Sequence, residues 1–284
     1  MKNSPVGFMQ GRLSPVANGK IQEFPWDNWQ NEFVTASNLG FCSMEWTLDQ
    51  EKLSKNPLMT KQGRAEIKEL SKNFGIKVPS LTGDCFMQAP FWKLFGKDGE
   101  NRKEDLISIL DACFELGVAL IVIPLVDEGR IENKDQENAL LDFLHEKENI
   151  ISNKGIQILF ESDFDPKRLK AFIGKFNSEI FGINYDIGNS AALGFDVEEE
   201  FAAYGDRVIN IHVKDRVLNG NTVPLGDGNA DFNSVFKNLN SIGYQGNYIL
   251  QTARSKSGDH SGVLIEYKRI IETLINNSGT TTTK

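Results

Sequence analysis

Short apolar runs recur along the whole chain. They are VGFM near residue 6, CSMEW near 42, KVPSLT near 77, ALIVIPLV near 119, IQILF near 156, FGINY near 181, VINIHV near 208 and NYILQ near 247. Most are continuously apolar rather than alternating with polar residues. That pattern is typical of strands that are buried on both faces of a parallel sheet. The runs therefore predict eight buried strands.

Longer amphipathic stretches separate the apolar runs. Three of them, GRAEIKELSKNFG, RKEDLISILDACFELG and NALLDFLHEKENIISNKG, carry apolar residues at three- and four-residue spacing and reach a glycine at their C-terminal ends. This spacing and this stop signal predict helices. Eight strands alternating with eight helical segments predict an α/β fold, a single-domain (β/α)8 TIM barrel. The alternative, a doubly wound open sheet, is disfavoured because no GxGxxG motif follows the first strand.

The barrel is predicted to cover residues 1–276. The longest insertion, residues 84–101, is rich in aromatic residues and follows the third strand. We expect it to form a lid-like loop over the barrel mouth, with a packing or oligomer surface as the alternative. Residues 277–284 are polar and of low complexity, so we predict a disordered tail.

Composition narrows the function. The chain has 284 residues and a formal net charge of -8, which argues against binding along a nucleic-acid backbone. The longest apolar stretch, residues 117–126, is about half as long as a bilayer span requires. The N-terminus has no apolar signal-peptide core. We therefore predict a cytoplasmic protein that binds neither nucleic acid nor membrane.

Polar side chains close the last four predicted strands. These residues are Glu161, Asp186, His212 and Gln251. Because the C-terminal ends of barrel strands converge on one face, we expect the four side chains to meet at the same rim. Two carboxylates, one imidazole and one amide oxygen form a plausible divalent cation site. Such a set suits Mn²⁺ or Mg²⁺ best and also accepts Co²⁺ or Zn²⁺.

Each of these residues also has an ordinary structural interpretation. A lone His in a strand is usually a satisfied core residue, and Asp186 before IGNS can cap a turn. Glu161 can cap the helix predicted to begin near Pro166. The coincidence across four successive strands favours the metal site over these separate explanations.

At these positions the chain resembles the xylose-isomerase-like barrels, in particular the sugar phosphate isomerase/epimerase group. The segments FES, NYDIGNS, IHVKDR and PLGDGNADF are similar to that group's strand-end motifs, and the likeness extends from GFMQGRLSP to YILQTAR. The resemblance implies a small-molecule carbohydrate substrate. It also implies a metal held by Glu, Asp, His and Glu from strands 5 to 8. Glu161, Asp186 and His212 match that pattern, but Gln251 stands where the family has Glu.

The glutamine changes the expected chemistry. The resemblance assigns the two acid/base groups of an epimerase to the carboxylates of strands 5 and 8. An amide can bind a metal but cannot accept the proton. Glu161 is then the predicted catalytic base, and Lys214 is predicted as a second catalytic group. Asp215 and Asp84 remain alternatives to Lys214.

Further residues near the strand ends can reach a substrate. Arginines after strands 1, 7 and 8 suit a phosphate or carboxylate, or else form salt bridges with rim acids. Trp46 can stack on a sugar face or pack in the core, and Asn189 stands where some ketose epimerases have His. The predicted substrate-binding residues are Arg12, Asp84, Trp46, Asn189, Asp215, Arg216 and Arg254.

The residues together predict a divalent-metal-dependent sugar or sugar-phosphate isomerase/epimerase that works through an enediolate. One alternative is a metal-dependent dehydratase of a polyol or cyclic keto acid. Another is a catalytically silent metabolite-binding barrel, because Gln251 replaces the usual Glu. An endonuclease is disfavoured since three histidines cannot build a His-rich zinc site. Barrels of this type often pair, so a homo-oligomer is left open.

Overall fold

Eight parallel strands close into one barrel in the protein, whose structure is a computed structural model that describes residues 5–16 and 19–278. Val6 of the first strand pairs with Tyr248 of the last, and this pairing closes the barrel. The predicted (β/α)8 TIM barrel is confirmed. Its strands are β1 Val6–Met9, β2 Ser43–Thr47, β3 Lys77–Thr82, β4 Leu120–Leu125, β5 Gln157–Ser162, β6 Phe181–Asp186, β7 Val208–Val213 and β8 Asn247–Leu250.

Helices cover the outside of the barrel. Several begin at a residue whose side chain accepts a hydrogen bond from the first turn, such as Thr60, Asn133 and Asp165. Two of the longer helices end at glycines in the left-handed conformation, Gly75 and Gly117. The α-helices are α1 Trp29–Asn38, α2 Lys61–Phe74, α3 Asp84–Gln88, α4 Gly96–Leu116, α5 Lys134–Asn153, α6 Pro166–Ile173, α7 Ile187–Leu193, α8 Val197–Tyr204, α9 Phe232–Ser241 and α10 His260–Ser278.

The segment 84–101 differs from the predicted lid-like loop. It begins with the short helix α3 and ends inside α4. Phe91 and Trp92 are buried, and the Phe91 ring lies 5.0 Å from the ring of Phe143. Only one aromatic side chain of the segment, Phe95, is exposed. The buried aromatic residues therefore anchor the segment, with Phe91 packed against α5.

The C-terminal prediction also changes. Helix α10 runs to Ser278, so it includes the first two residues of the predicted tail 277–284. Residues 279–284 lie outside the described residues. Among the helices that are described, none is long and apolar enough to cross a bilayer.

Polar side chains occupy part of the barrel interior, which is unusual because barrel interiors are mostly packed with branched apolar residues. Ser80, Asn184, Asn210 and His212 are buried there, together with the carboxylate of Glu45. Buried polar groups of this kind need partners, and these side chains bond to one another. They form a polar column that leads up to the C-terminal rim.

Candidate active site

A cavity of about 330 Å³ opens at the C-terminal ends of the strands. The strand-end residues predicted from the sequence are expected to meet at this face. Seven of its lining residues are charged or amide side chains predicted from the sequence to act there: Arg12, Asp84, Glu161, Asn189, Lys214, Arg216 and Gln251.

Three of the predicted metal ligands lie together at the floor of this region. Glu161 is in β5, Asp186 is the last residue of β6, and His212 is in β7. Asp186 and His212 are direct neighbours across the sheet. One ligand atom from each of the three residues lies within 4.8 Å of the others, and all three residues are buried. The arrangement can hold one cation.

Gln251, the fourth predicted ligand, follows β8 and lines the cavity. Its side-chain nitrogen Nε2 donates to Oε1 of Gln22 at 2.9 Å. Its oxygen Oε1 is buried and has no hydrogen-bond partner among the described residues. Such an oxygen is normally satisfied in a native protein, so its free lone pairs fit a role as a ligand.

Lys214 also reaches this site. Its Nζ lies 2.6 Å from Oδ2 of Asp186, close enough for an ion pair although not aligned as a hydrogen bond. The other oxygen of Asp186 accepts the backbone N–H of Asn189 and so caps α7. Burial raises the pKa of Asp186 even though Lys214 opposes this rise. Asp186 therefore performs the capping role and also presents one oxygen to the site.

Glu45 in β2 is a site residue that the sequence analysis missed. Its Oε1 lies 2.6 Å from Nε2 of His212, and its Oε2 accepts from Ser80 at 2.6 Å and from Asn210 at 3.0 Å. Burial raises the pKa of Glu45, but His212 and the hydroxyl of Ser80 outweigh burial, and the pKa lies below its ordinary value. An acidic residue inside the apolar run CSMEW was the available signal, because a buried carboxylate needs a partner.

The imidazole of His212 lies between two carboxylates. Its Nδ1 is 2.9 Å from Oε2 of Glu161, and its Nε2 faces Glu45. Burial lowers the pKa of His212, but the two carboxylates outweigh burial and raise the pKa to about 10. The ring of the metal-free protein is therefore an imidazolium at neutral pH.

Glu161 is held by amide and imidazole groups. Asn184 donates to its Oε2 at 2.9 Å, and Asn189 donates to its Oε1 at 2.7 Å. Burial raises the pKa of Glu161, yet the hydrogen bond and charge of His212 and the charge of Lys214 bring the pKa below its ordinary value. Glu161 is consequently a carboxylate at neutral pH, which is the form that a base requires.

Asp84 begins α3 directly after β3 and faces the same cavity. Its Oδ2 accepts from Nε2 of Gln22 at 2.6 Å. Burial and the negative charge of Asp49 raise the pKa of Asp84 to about 7. A carboxyl group with a pKa near the operating pH can both donate and accept a proton, which suits a second acid/base.

Two arginines line the cavity, as predicted, but most of their donors bind the protein itself. Arg12 donates to the carbonyl oxygens of Thr252 and Ile21 at 3.0 and 2.9 Å. Burial and the charge of Arg254 lower the pKa of Arg12 to about 9. Arg216 donates to Oδ1 of Asn189 at 2.8 Å. Both guanidinium groups still contribute positive charge to the cavity.

Two predicted substrate contacts lie elsewhere. Trp46 is fully buried, and its Nε1 donates to Oδ1 of Asn56 at 3.0 Å. Arg254 donates to the carbonyl oxygens of Gly11 and Ser14 and does not line the cavity. Neither residue therefore has its predicted substrate role. Trp46 packs in the core, and Arg254 holds the loop that follows β1.

Asp215 is a third correction. Its side chain is fully buried and accepts the backbone N–H groups of Gly226, Gly228 and Ala230 at 2.8, 3.0 and 3.1 Å. Asp215 thus fastens the loop within residues 224–232. Because these three N–H groups are bonded to Asp215, the side chain has a structural role in holding this loop.

Comparisons with known proteins fit this geometry. Residues 33–272 match the sequence profile of a family described as "Xylose isomerase-like TIM barrel". The chain is 23% identical over 269 residues to the putative L-ribulose-5-phosphate 3-epimerase SgbU of Escherichia coli K12, covering 89% of this chain and 93% of that one. It is 24% identical to the L-ribulose-5-phosphate 3-epimerase UlaE of Shigella sonnei, covering 89% and 92%. A crystal structure of the IOLI protein with a bound zinc atom aligns with a TM-score of 0.73 at 16% identity, covering 97% and 99%.

Proposed function

This chain belongs to the xylose isomerase-like TIM-barrel family, and on that premise we propose that it is a divalent-metal-dependent isomerase or epimerase of a sugar or sugar phosphate. The predicted enzyme class agrees with the relatives that span 89% of the chain, which are named as epimerases. The observation that carries the proposal is the cluster of Glu161, Asp186 and His212, with ligand atoms within 4.8 Å of one another.

The side chains present fit a divalent cation. Glu161, Asp186 and His212 supply two carboxylates and one imidazole nitrogen, and Gln251 supplies the buried amide oxygen that lacks a partner. Mn²⁺ and Mg²⁺ suit this oxygen-rich set, and the zinc in the IOLI structure supports testing Zn²⁺. Such a cation would polarise the carbonyl of the substrate and stabilise the negative charge of an enediolate.

Glu161 is the proposed base. It is a carboxylate at neutral pH because His212 and Lys214 lower its pKa. The amides of Asn184 and Asn189 fix both of its oxygens at the edge of the cavity. From there it can remove a proton from the carbon next to the substrate carbonyl. A single base of this kind is sufficient to move a proton between adjacent carbons on one face, which is isomerisation.

Epimerisation needs a second group that returns the proton to the opposite face. Gln251 cannot do so, because an amide does not carry a mobile proton in this pH range. Lys214 and Asp84 both line the cavity and both can donate a proton. Asp84, whose pKa is about 7, approaches from the β3 side, whereas Lys214 lies beside Asp186. We therefore assign the second acid/base role of an epimerase to Asp84 and a charge-stabilising role to Lys214.

A sugar phosphate is the favoured substrate class. The cavity contains the positive groups of Arg12, Lys214 and Arg216. Positive charge of this kind attracts a phosphate dianion and orients it by hydrogen bonds. The names of the two sequence relatives, which specify L-ribulose 5-phosphate, support the same class.

The test is solvent exchange. The Mn²⁺-loaded protein is incubated in D₂O with L-ribulose 5-phosphate, the corresponding free ketose and a panel of other ketose phosphates, and the sugars are followed by NMR. We expect deuterium at the carbon next to the carbonyl, and an isomer or epimer of the substrate. Glu161→Gln should abolish exchange. The matched control Glu146→Gln, on the exposed face of α5, should leave exchange unchanged.

The outcomes separate the alternatives. Loss of a hydroxyl group with formation of a deoxy keto product would identify a dehydratase instead. Metal binding without exchange on any sugar would favour a silent binding barrel. Exchange that persists in Glu161→Gln would refute the assignment of the base.

A further inference from the structure

Gln22 connects three sides of the cavity mouth. It lies in the segment between β1 and α1, and its side chain is half-buried. Its Oε1 accepts from Nε2 of Gln251 at 2.9 Å and from Nη2 of Arg12 at 3.3 Å. Its Nε2 donates to Oδ2 of Asp84 at 2.6 Å. A single amide therefore joins residues that follow β1, β3 and β8.

The neighbours of Gln22 determine which way its amide faces. A guanidinium has only donors, so the atom of Gln22 that faces Arg12 must be its oxygen. The NH₂ group of Gln22 is then at the other end, where it donates to Oδ2 of Asp84. Arg12 is itself fixed by the carbonyl oxygens of Thr252 and Ile21. The orientation of Gln22 therefore does not depend on the orientation of any other amide.

The orientation of Gln22 in turn fixes Gln251. Because the oxygen of Gln22 faces it, Gln251 must direct its NH₂ group toward Gln22. Its oxygen then takes the opposite position, where it is buried and has no hydrogen-bond partner among the described residues. Gln251 lies two positions beyond Ile249, which is the direct neighbour of His212 across the sheet. Because residues two apart share a face, the side chain of Gln251 points to the interior of the barrel, as that of His212 does.

We propose that Gln22 is a positioning residue that holds the Gln251 amide with Oε1 available as a metal ligand, so that this site is built for glutamine. The inference rests on the proposed function and deepens it. A carboxylate at position 251 would place an oxygen against Oε1 of Gln22. Turning Gln22 to avoid that contact would put its oxygen against Asp84 and its NH₂ group against Arg12. Arg12, Gln22, Asp84 and Gln251 therefore form one matched set.

The test is a double-mutant cycle on Mn²⁺ binding by the full chain, measured by calorimetry. The variants are Gln22→Met, Gln251→Met and the double variant. We expect Gln22→Met to weaken Mn²⁺ binding by about tenfold or more, which is the usual effect of losing a partner that orients a ligand. The double variant should bind no more weakly than Gln251→Met alone, because Gln22 acts only through Gln251.

A spectroscopic signature separates positioning from a general structural effect. Titration with diamagnetic Mg²⁺ should shift the side-chain carbonyl ¹³C resonance of Gln251 in the unaltered protein, and Gln251→Met assigns that resonance. The shift should be lost or much reduced in Gln22→Met. The matched control is Gln157→Met at the N-terminal end of β5, far from the rim. The Gln157 side chain donates to the carbonyl oxygen of Glu179, and the substitution should change neither readout.

Each contrary result has a distinct meaning. Unchanged Mn²⁺ affinity in Gln22→Met, or additive losses in the double variant, would overturn the positioning role while leaving the metal site intact. An unaltered protein that binds no Mn²⁺ and shows no Mg²⁺ shift would overturn the proposed metal dependence, and the positioning role with it. Circular dichroism on every variant confirms that folded proteins are being compared.

Discussion

Replacing Glu45 by glutamine tests how the imidazole of His212 is held. Glu45 is fully buried, and one of its oxygens lies 2.6 Å from Nε2 of His212. The other oxygen accepts from Ser80 and from the amide nitrogen of Asn210 at 3.0 Å. That nitrogen can only donate, so the new NH₂ group of a glutamine is disfavoured beside it. The NH₂ group must therefore face His212.

This substitution favours the tautomer of the ring that cannot bind the metal. In the metal-free protein both ring nitrogens carry a proton, and the proton on Nδ1 must leave when a cation binds. With an NH₂ group against Nε2, that nitrogen must instead be the acceptor, so the one proton of the neutral ring stays on Nδ1. Nδ1 is the atom beside Glu161, on the side of the proposed metal. A nitrogen that carries a proton cannot ligate a cation. Losing a hydrogen bond to a charged group costs about 1.5–3 kcal/mol, so Mn²⁺ binding should weaken roughly 10- to 100-fold.

Calorimetry with Mn²⁺ measures the affinity, and ¹⁵N NMR of the ring nitrogens reports the tautomer. The chain has only three histidines, so the His212 resonances can be assigned by substitution. Glu200→Gln is the matched control. Glu200 is also buried, but within the described part of the chain its carboxylate accepts hydrogen bonds from hydroxyl groups alone. These belong to Tyr185, Ser190 and Tyr204, and each can turn to accept from an NH₂ group. Unchanged Mn²⁺ affinity in Glu45→Gln, with the proton still on Nε2, would refute this reasoning.

Three further predictions follow from the same geometry. The pKa of His212 is raised from 6.5 to about 10. The charged imidazole should therefore stabilise the metal-free fold fully below pH 6.5, and this stabilisation should be lost as the pH rises through about 10. The melting temperature in EDTA should fall over that range, and a flat profile would contradict the assignment. Because the ligating nitrogen must lose its proton, Mn²⁺ binding near pH 7 should release about one proton, measured by calorimetry in two buffers of different protonation enthalpy. Asp215→Ala should destabilise the fold by about 2–3 kcal/mol in urea unfolding and speed hydrogen exchange at Gly226 and Gly228; unchanged exchange there would exclude the anchoring role.

The strands and the rim residues could be predicted from the sequence because their signals are local. A continuously apolar run such as VINIHV marks a buried strand, and the polar residue that closes it marks the rim. Glu161, Asp186 and His212 each carry this signal separately. The barrel needs only to close for the three side chains to meet. No contact between distant residues had to be known in advance.

Two features of the site could not be predicted in this way. Glu45 and His212 are 167 positions apart, and Gln22 and Gln251 are 229 positions apart. Both contacts exist only because the sheet closes into a barrel. Glu45 of β2 and His212 of β7 meet inside it although β1 and β8 separate their strands, and Gln22 meets Gln251 at the rim. An irregular segment carries Gln22, and no periodicity of the sequence indicates which way such a segment turns.

The incorrect substrate roles of Asp215 and Trp46 have a simpler cause, which is the alternation of side chains along a strand. Residues two apart point to the same face, whereas adjacent residues point to opposite faces. His212 points inward, so Lys214 shares its face and Asp215 does not. Likewise Glu45 points into the barrel and Trp46 points toward the helices. Applying this alternation from His212 would have assigned Asp215 to the outer side from the sequence alone.

The charges around the site are compatible with a cation even though the fourth proposed ligand, Gln251, is not a carboxylate. Because Gln251 is neutral where the family has a Glu, the proposed ligands carry one negative charge fewer than those of the family. Glu45 brings a further buried carboxylate to the far side of His212, and it keeps the ring oriented with Nδ1 toward Glu161. The imidazolium of His212 and the ammonium of Lys214 offset two of the three carboxylate charges of Glu45, Glu161 and Asp186 in the metal-free protein. A divalent cation that displaced the imidazole proton would offset the third, so the smaller charge at Gln251 is compatible with metal binding.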